Sequence, residues 1–296
     1  MRIASLLPSV TEMVCALGLE DRLVARSHEC DFPPGIERVP AVTASRLPAD
    51  AVTQAQVDAA VTDAARAGEA LYEVDADLLA RLAPDLVITQ SLCDVCAVAE
   101  GAVFAAVRDL DPPARVLSLA PGRLDEVIAS VQEVADAAGV PEAGHALVAS
   151  LRARLDALRA RVAGRPPVRV AAVEWIDPPW SAGHWVPDQV AAAGGVEVLV
   201  AAGERSARAT WDDVAAARPD VVVLMPCGLA LAEVMELAGD VPPLDARVVA
   251  VDASGLFSRP GPRLVEGAEV MARILHPMPG DEPPGGSWAW IAGGGG

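Results

Sequence analysis

DADLLARLAPDLVI, Asp75 to Ile88, and WDDVAAARPDVVVL, Trp211 to Leu224, carry one phrase twice: a short amphipathic helical run, a proline, an aspartate and then a β-rich stretch. A helix that hands straight into a strand, with more strands of the same kind along the chain, argues for parallel sheets flanked by helices. Working outward, the other β-rich runs are Ile3 to Leu6, Leu23 to Ser27, Arg115 to Leu119, Arg169 to Trp175 and Arg247 to Asp252. A second correspondence follows the first. Arg115-Val-Leu-Ser-Leu precedes a helical pattern over Leu124 to Ala138, and Arg247-Val-Val-Ala-Val precedes one over Arg263 to Leu275. A repeat of this length means two related α/β lobes, because solenoid units are far shorter.

Between the lobes, Pro141 to Gly164 places Leu147, Leu151, Leu155, Leu158 and Val162 on one helical face. That stretch makes about six turns of helix. Pro141 suits its first turn and Gly164 its end, and Pro166-Pro167 prevents continuation. The expected fold is therefore α/β, with two Rossmann-like lobes of parallel sheet joined by one long helix. The expected boundaries are an N-terminal lobe over 1–140, a connecting helix over 141–164, a C-terminal lobe over 165–278 and a Gly/Pro-rich tail over 279–296.

Composition narrows the function. The chain has 296 residues, enough for two lobes with their own cores, and 52% hydrophobic against 22% charged residues place it among globular proteins. With 41 acidic and 23 basic residues the net charge is -18, which opposes the phosphate neutralisation that nucleic-acid binding requires, so no nucleic-acid partner is expected. Every basic residue is arginine, which removes Schiff-base lysines and phosphate-loop lysines together. The opening MRIASLLPSVTEMVCALG reads as a strand, a turn and a helix of the fold, with Glu12 interrupting the apolar run, and not as a signal peptide. No lipid-anchor cysteine follows a leader, and no stretch approaches the ~18 to 20 apolar residues of a membrane span. A cytoplasmic protein with reduced thiols is expected.

The unusual residues fall where strands end, which is where open parallel sheets bind ligands. His28-Glu29-Cys30-Asp31 follows the second β-rich run, and Cys93-Asp94-Val95-Cys96 follows the third. In the C-terminal half, Glu174-Trp175, Pro226-Cys227-Gly228 and the loop from Phe257 through Arg259 to Arg263 hold the equivalent places, and His184 and Trp185 lie close behind Glu174. Trp175, Trp180, Trp185 and Trp211 are four of six tryptophans and fall in one short region, which suits a large flat organic ligand. Both lobes are expected to face one cleft.

The pair Cys93 and Cys96 is open to several readings: core hydrophobes, a redox couple, for which the wider thioredoxin pattern is missing, thiols lining a pocket, the favoured reading, or metal ligands, the runner-up. A structural zinc site needs four ligands, and no second C-x-x-C exists. A metal therefore requires the fold to bring in His28, Cys30, His184 or Cys227. Cys15 reads as core, and His145 and His276 as solvated.

SLLPSVTEMVCALG at Ser5, LARLAPDLVI at Leu79 and the long connector resemble the cobalamin and iron-siderophore substrate-binding proteins of ABC importers. SHECDFPP, CDVCAV, EWIDP, GHWVP, MPCG and FSRPGPR are similar to a cobalamin-binding branch of that family. The resemblance spans roughly Met1 to Leu275 and implies two rigid lobes with limited hinge motion. By this similarity His28, Glu29, Cys93, Asp94, Cys96, Glu174, Trp175, His184, Trp185, Cys227 and Arg259 are expected to face the ligand. It implies a non-catalytic binding protein for a corrinoid or related metal chelate, with no cofactor required and an ABC permease as the implied partner. The rival reading is a metal-dependent enzyme with a Cys/His/Glu site, and a weaker one is a ligand sensor.

Overall fold

A computed structural model describes residues 1–48, 53–67, 69–91, 100–108, 110–281 and 286–291. The chain divides into two compact units, one of Met1–Pro121 with Ile128–Ala149 and one of Gly122–Val127 with Ser150–Gly296.

The first unit carries strands β1 (Ile3–Ser5), β2 (Leu23–Arg26), β3 (Thr43–Ser45), β4 (Tyr72–Val74), β5 (Leu86–Gln90) and β6 (Arg115–Leu119). Its helices are α1 (Pro8–Ala16), α2 (Gln54–Ala67), α3 (Ala76–Leu82) and α4 (Glu100–Arg108). Helices α5 (Leu124–Ala137) and α6 (Pro141–Val162) each have residues in both units. β1, β2, β5 and β6 form a parallel sheet in the order β2-β1-β5-β6, and β3 and β4 pair separately as an antiparallel ribbon. Ile3, Leu6, Leu79, Val87 and Val103 are all but inaccessible to solvent, so helices cover this sheet. The N-terminal stretch read as part of the fold forms β1 and α1, with Pro8 at the first helical position.

The second unit carries β7 (Val168–Ile176), β8 (Pro179–Ser181), β9 (Gly195–Glu197), β10 (Ala207–Arg208), β11 (Val221–Leu224), β12 (Arg247–Val251) and β13 (Trp288–Trp290). Its helices are α7 (Val186–Ala192), α8 (Trp211–Ala216), α9 (Leu231–Leu237), α10 (Ala253–Leu256) and α11 (Leu264–Leu275). β9, β7, β11 and β12 run parallel in that order. This is the permutation β2-β1-β5-β6 over again, so the duplicated phrases of the sequence belong to duplicated sheets. In each sheet the order reverses beside its first strand, between β1 and β5 and between β7 and β11.

The duplication extends to individual hydrogen bonds. Asp75 caps α3 by accepting from the Leu78 amide at 2.8 Å, and Thr210 caps α8 in a reciprocal box with Asp213. Each helix stops at a residue with positive φ, Ala83 at 38° and Arg218 at 49°, ahead of the proline that cannot continue it. The aspartate after the proline then starts the strand. Asp85 Oδ2 accepts from the Arg2 amide at 2.6 Å, and Asp220 Oδ2 accepts from the Arg169 amide at 2.8 Å. The Arg2 guanidinium donates to the α3 end at Leu82 O, while that of Arg169 donates to Arg218 O and Ala217 O after α8. Each aspartate thus fastens the start of one strand to its neighbour.

α6 buries Val148, Leu151, Leu155, Leu158 and Val162, the spacing of an amphipathic helix, and Gly164 follows it with φ of 77°. Within the second unit Arg154 makes a two-pronged bond to Glu269 on α11, at 2.9 and 2.8 Å.

Two sequence expectations change. Trp288–Trp290, read as part of a tail whose indoles pack back onto a lobe, is a strand that pairs antiparallel with β12, Trp288 opposite Val251 and Trp290 opposite Val249. Its indoles meet edge to face at 5.9 Å, and the Arg247 guanidinium lies 4.9 Å from the Trp290 ring. His276, expected to be solvated, is buried, with Nε2 3.1 Å from Gly194 O. Gly194, at φ of 82°, leaves no room for a side chain beside that imidazole.

Candidate functional site

In the first unit the carboxyl ends of β1 and β2 meet a buried bed of small polar side chains. Ser5 Oγ donates to Leu7 O at 3.0 Å and accepts from Thr11 Oγ1 at 2.8 Å. Cys30 Sγ lies 3.0 Å from Thr11 Oγ1. A hydroxyl has one hydrogen, and that of Thr11 goes to Ser5. The Cys30 S–H is therefore the donor, and the hydrogens run from Cys30 through Thr11 and Ser5 to Leu7 O. Cys30, a candidate metal ligand by sequence, is buried and engaged in this chain of hydrogen bonds.

Beside it stand His28 and Glu29, both partly exposed. Thr43 Oγ1, on β3, lies 2.7 Å from His28 Nδ1, accepts from the His28 amide at 2.9 Å and donates to Ser27 Oγ at 3.1 Å. Tyr72, on β4, donates from its hydroxyl to Glu29 Oε1 at 3.3 Å, and its ring lies 5.6 Å from the His28 imidazole. The ribbon of β3 and β4 thus holds both predicted residues. Thr43 and Tyr72 were not singled out in the sequence; the one signal was that Tyr72 is the chain's single tyrosine. Cys93, Asp94 and Cys96 lie outside the described residues.

In the second unit Glu174 and Trp175 lie near the end of β7, both partly exposed. The Cys227 amide donates to Glu174 O at 3.0 Å, which ties the turn after β11 to β7 and makes those two predicted residues neighbours. Trp175 pairs with Trp180 across β7 and β8, and Trp180 pairs with Arg208 across β8 and β10. Paired positions share a sheet face, so two indoles and a guanidinium form one row.

His184 has φ of 53°, a left-handed conformation that costs a residue other than glycine about 1 kcal/mol. Two backbone bonds hold it there: its amide donates to Glu204 O at 2.6 Å, and its carbonyl accepts from Gly203 N at 2.9 Å. Gly183 precedes it because the backbone of residues 204–206 passes where a Cβ would stand. Burial, helped by the charge of Arg205, pushes the His184 imidazole below its ordinary value. Trp185 packs beside it, the two rings 5.6 Å apart. It is 7% exposed, and its Nε1 donates to Phe257 O at 2.7 Å, so its indole anchors the loop that presents His184. Arg259, two residues beyond Phe257, is partly exposed.

His28 and Cys30 are near each other in the first unit, while Cys227 and His184 belong to the second. Among the described residues, no three His, Cys, Asp or Glu side chains gather in a group able to hold a metal ion. No described helix is long and apolar enough to cross a membrane.

A family model described as periplasmic binding protein matches residues 3–238. Among solved structures, the periplasmic vitamin B12 binding protein of Vibrio cholerae is 21% identical, with a TM-score of 0.65 over 93% of this chain and 96% of that one. A periplasmic heme binding protein from Pseudomonas aeruginosa is 20% identical, with a TM-score of 0.70 over 100% and 99% of the two chains. An ABC transporter substrate-binding protein from Listeria monocytogenes is 16% identical, with a TM-score of 0.68 over 93% and 98%. At these identities the likeness is one of fold. A search of the curated proteins finds no match.

Proposed function

The chain belongs to the periplasmic binding protein family, and on that footing we propose that it binds a corrinoid or related metal chelate reversibly, without catalysis, for delivery to a membrane permease. The observation that carries the ligand class is the joint presence of flat aromatic surface and imidazole at strand ends. Trp175 and Trp180 stand side by side with Arg208 at the end of the row, matching a wide planar ring that bears acidic or amide edges. An imidazole at a strand end, His28 in the first unit or His184 in the second, supplies nitrogen to the metal of such a chelate. Similarity of fold to vitamin B12 and heme binding proteins supports this class, and similarity to an ABC transporter substrate-binding protein supports the permease. The family match favours a carrier over an enzyme.

The test is titration of the purified protein with cobalamin, cobinamide and heme, followed by tryptophan quenching and by the ligands' visible spectra. Saturable binding of at least one is expected, weakened about tenfold by Trp175→Ala, in keeping with the ~1–3 kcal/mol of a stacking contact. Absence of saturable binding by all three removes this ligand class.

A further inference from the structure

Thr43 decides which nitrogen of His28 carries the hydrogen. Its hydroxyl hydrogen is committed to Ser27 Oγ at 3.1 Å, and one lone pair accepts the His28 amide at 2.9 Å. What remains for His28 Nδ1, 2.7 Å away, is the second lone pair. Only an N–H can satisfy that contact, so in the neutral imidazole the hydrogen sits on Nδ1 and Nε2 keeps its lone pair. Among the described residues, no hydrogen bond reaches Nε2. Thr43 and Ser27 are both buried, so water does not compete for these bonds. Among the described residues, no hydrogen bond reaches the ring of His184, the other imidazole at a strand end, which packs on Trp185 at 5.6 Å; its backbone is fixed but its tautomer is not.

Building on the functional reading above, we infer that Thr43 is a positioning residue that locks His28 into the Nδ1–H tautomer. The bare Nε2 is then the protein's axial ligand to the metal of the bound chelate. The site therefore selects chelates with an exchangeable axial position. With a Co(III) corrinoid carrying axial water, one Co–O bond breaks, one Co–N bond forms from the Nε2 lone pair and water leaves. Cobalt keeps its oxidation state and no proton moves.

Two forms of one corrinoid separate this inference from the functional reading: diaquocobinamide, whose axial waters exchange, and dicyanocobinamide, whose axial positions are blocked. On binding the wild-type chain, diaquocobinamide is expected to shift its visible bands as nitrogen replaces water, and dicyanocobinamide to bind more weakly without a shift. His28→Ala is expected to abolish the shift. Thr43→Val is expected to weaken diaquocobinamide binding about tenfold, the usual cost of losing the group that orients a metal-bound histidine, and Thr43→Ser to restore it. Nitrogen-15 NMR of histidine-labelled wild-type protein, which needs no variant to fold, is expected to show hydrogen on Nδ1 and a bare Nε2. A hydrogen on Nε2, or an unchanged band shift in His28→Ala, overturns the inference while leaving corrinoid binding intact. Failure of both cobinamides to bind overturns it together with the corrinoid reading on which it rests.

Discussion

Glu197 Oε2 accepts a hydrogen bond from the backbone amide of Ala172 at 3.0 Å, standing in for a strand where the sheet changes partners. β7 pairs with β9 through Val170 and with β8 from Val173, and the Ala172 amide falls in the gap. The other oxygen, Oε1, accepts from Val198 at 3.0 Å and Leu199 at 2.9 Å. Burial outweighs these three donors and pushes the carboxyl from 4.5 up to about 8.

The folded protein thus holds a proton that the unfolded chain releases between pH 4.5 and about 8. Across that window the folded state binds more protons, so this group's contribution to stability falls as pH rises, by up to about 1.4 kcal/mol per pH unit. Urea unfolding at pH 5, 7 and 9 should show wild type losing more stability than Glu197→Gln over this range. Parallel losses in the two proteins would remove Glu197 as the source.

Gly267 on α11 lies against the carbonyl of Leu256 so closely that a Cβ would overlap the oxygen. Gln189 Nε2 bridges the same place, donating to Leu256 O at 2.9 Å and Leu264 O at 2.8 Å. Gly267→Ala forces α10 and α11 apart and should cost about 3 kcal/mol, read as a lowered urea midpoint. A midpoint within error of wild type would show that the helices give way freely.

At His184 the left-handed backbone separates two substitutions that both remove the imidazole. Glycine adopts φ of 53° without steric cost and alanine does not, so His184→Gly should be more stable than His184→Ala by about 1 kcal/mol. Thermal unfolding of the pair measures it, and equal stability would mean that the loop relaxes to negative φ once the ring is gone.

Ending the chain after Asp281 removes β13 and uncovers the edge of β12. An unpaired edge of Val248, Val249 and Val251 is a template for another chain, so the truncated protein should self-associate in a concentration-dependent way by light scattering. Behaviour identical to the full chain would show that β13 adds little cover.

The long-range plan of the molecule was legible because its signals are local. A capping aspartate or threonine, a proline nine residues on and a run of aliphatic residues announce α3 with β5 and α8 with β11, and each lies within a single stretch of chain. Edge strands are different. β8, β9, β10 and β13 have two or three residues each, and pairing across the fold, more than propensity, makes them strands. Trp288–Trp290 looked like a tail because glycine and proline surround it.

The candidate site was legible in outline only. His28, Glu29, Glu174, His184 and Cys227 stand at the strand ends where the pattern put them. What holds them was not visible, since Thr43 reaches His28 from 15 residues away and Tyr72 reaches Glu29 from 43. Burial was hidden as well: Trp185 follows His184 immediately and its ring lies 5.6 Å from the imidazole, yet the indole is buried and His184 only partly so, and no periodicity exists in such a turn to tell them apart.

The hydrogen relay that ends on Leu7 O has a bearing on survival outside reducing surroundings. Electrophiles and peroxides attack the thiolate, and Cys30 gives its hydrogen away to Thr11 from a buried position. Burial, with Glu20 nearby, pushes the neighbouring Cys15 thiol up to about 11. Burial of the one sulfur and the raised pKa of the other therefore shield these two thiols from such attack.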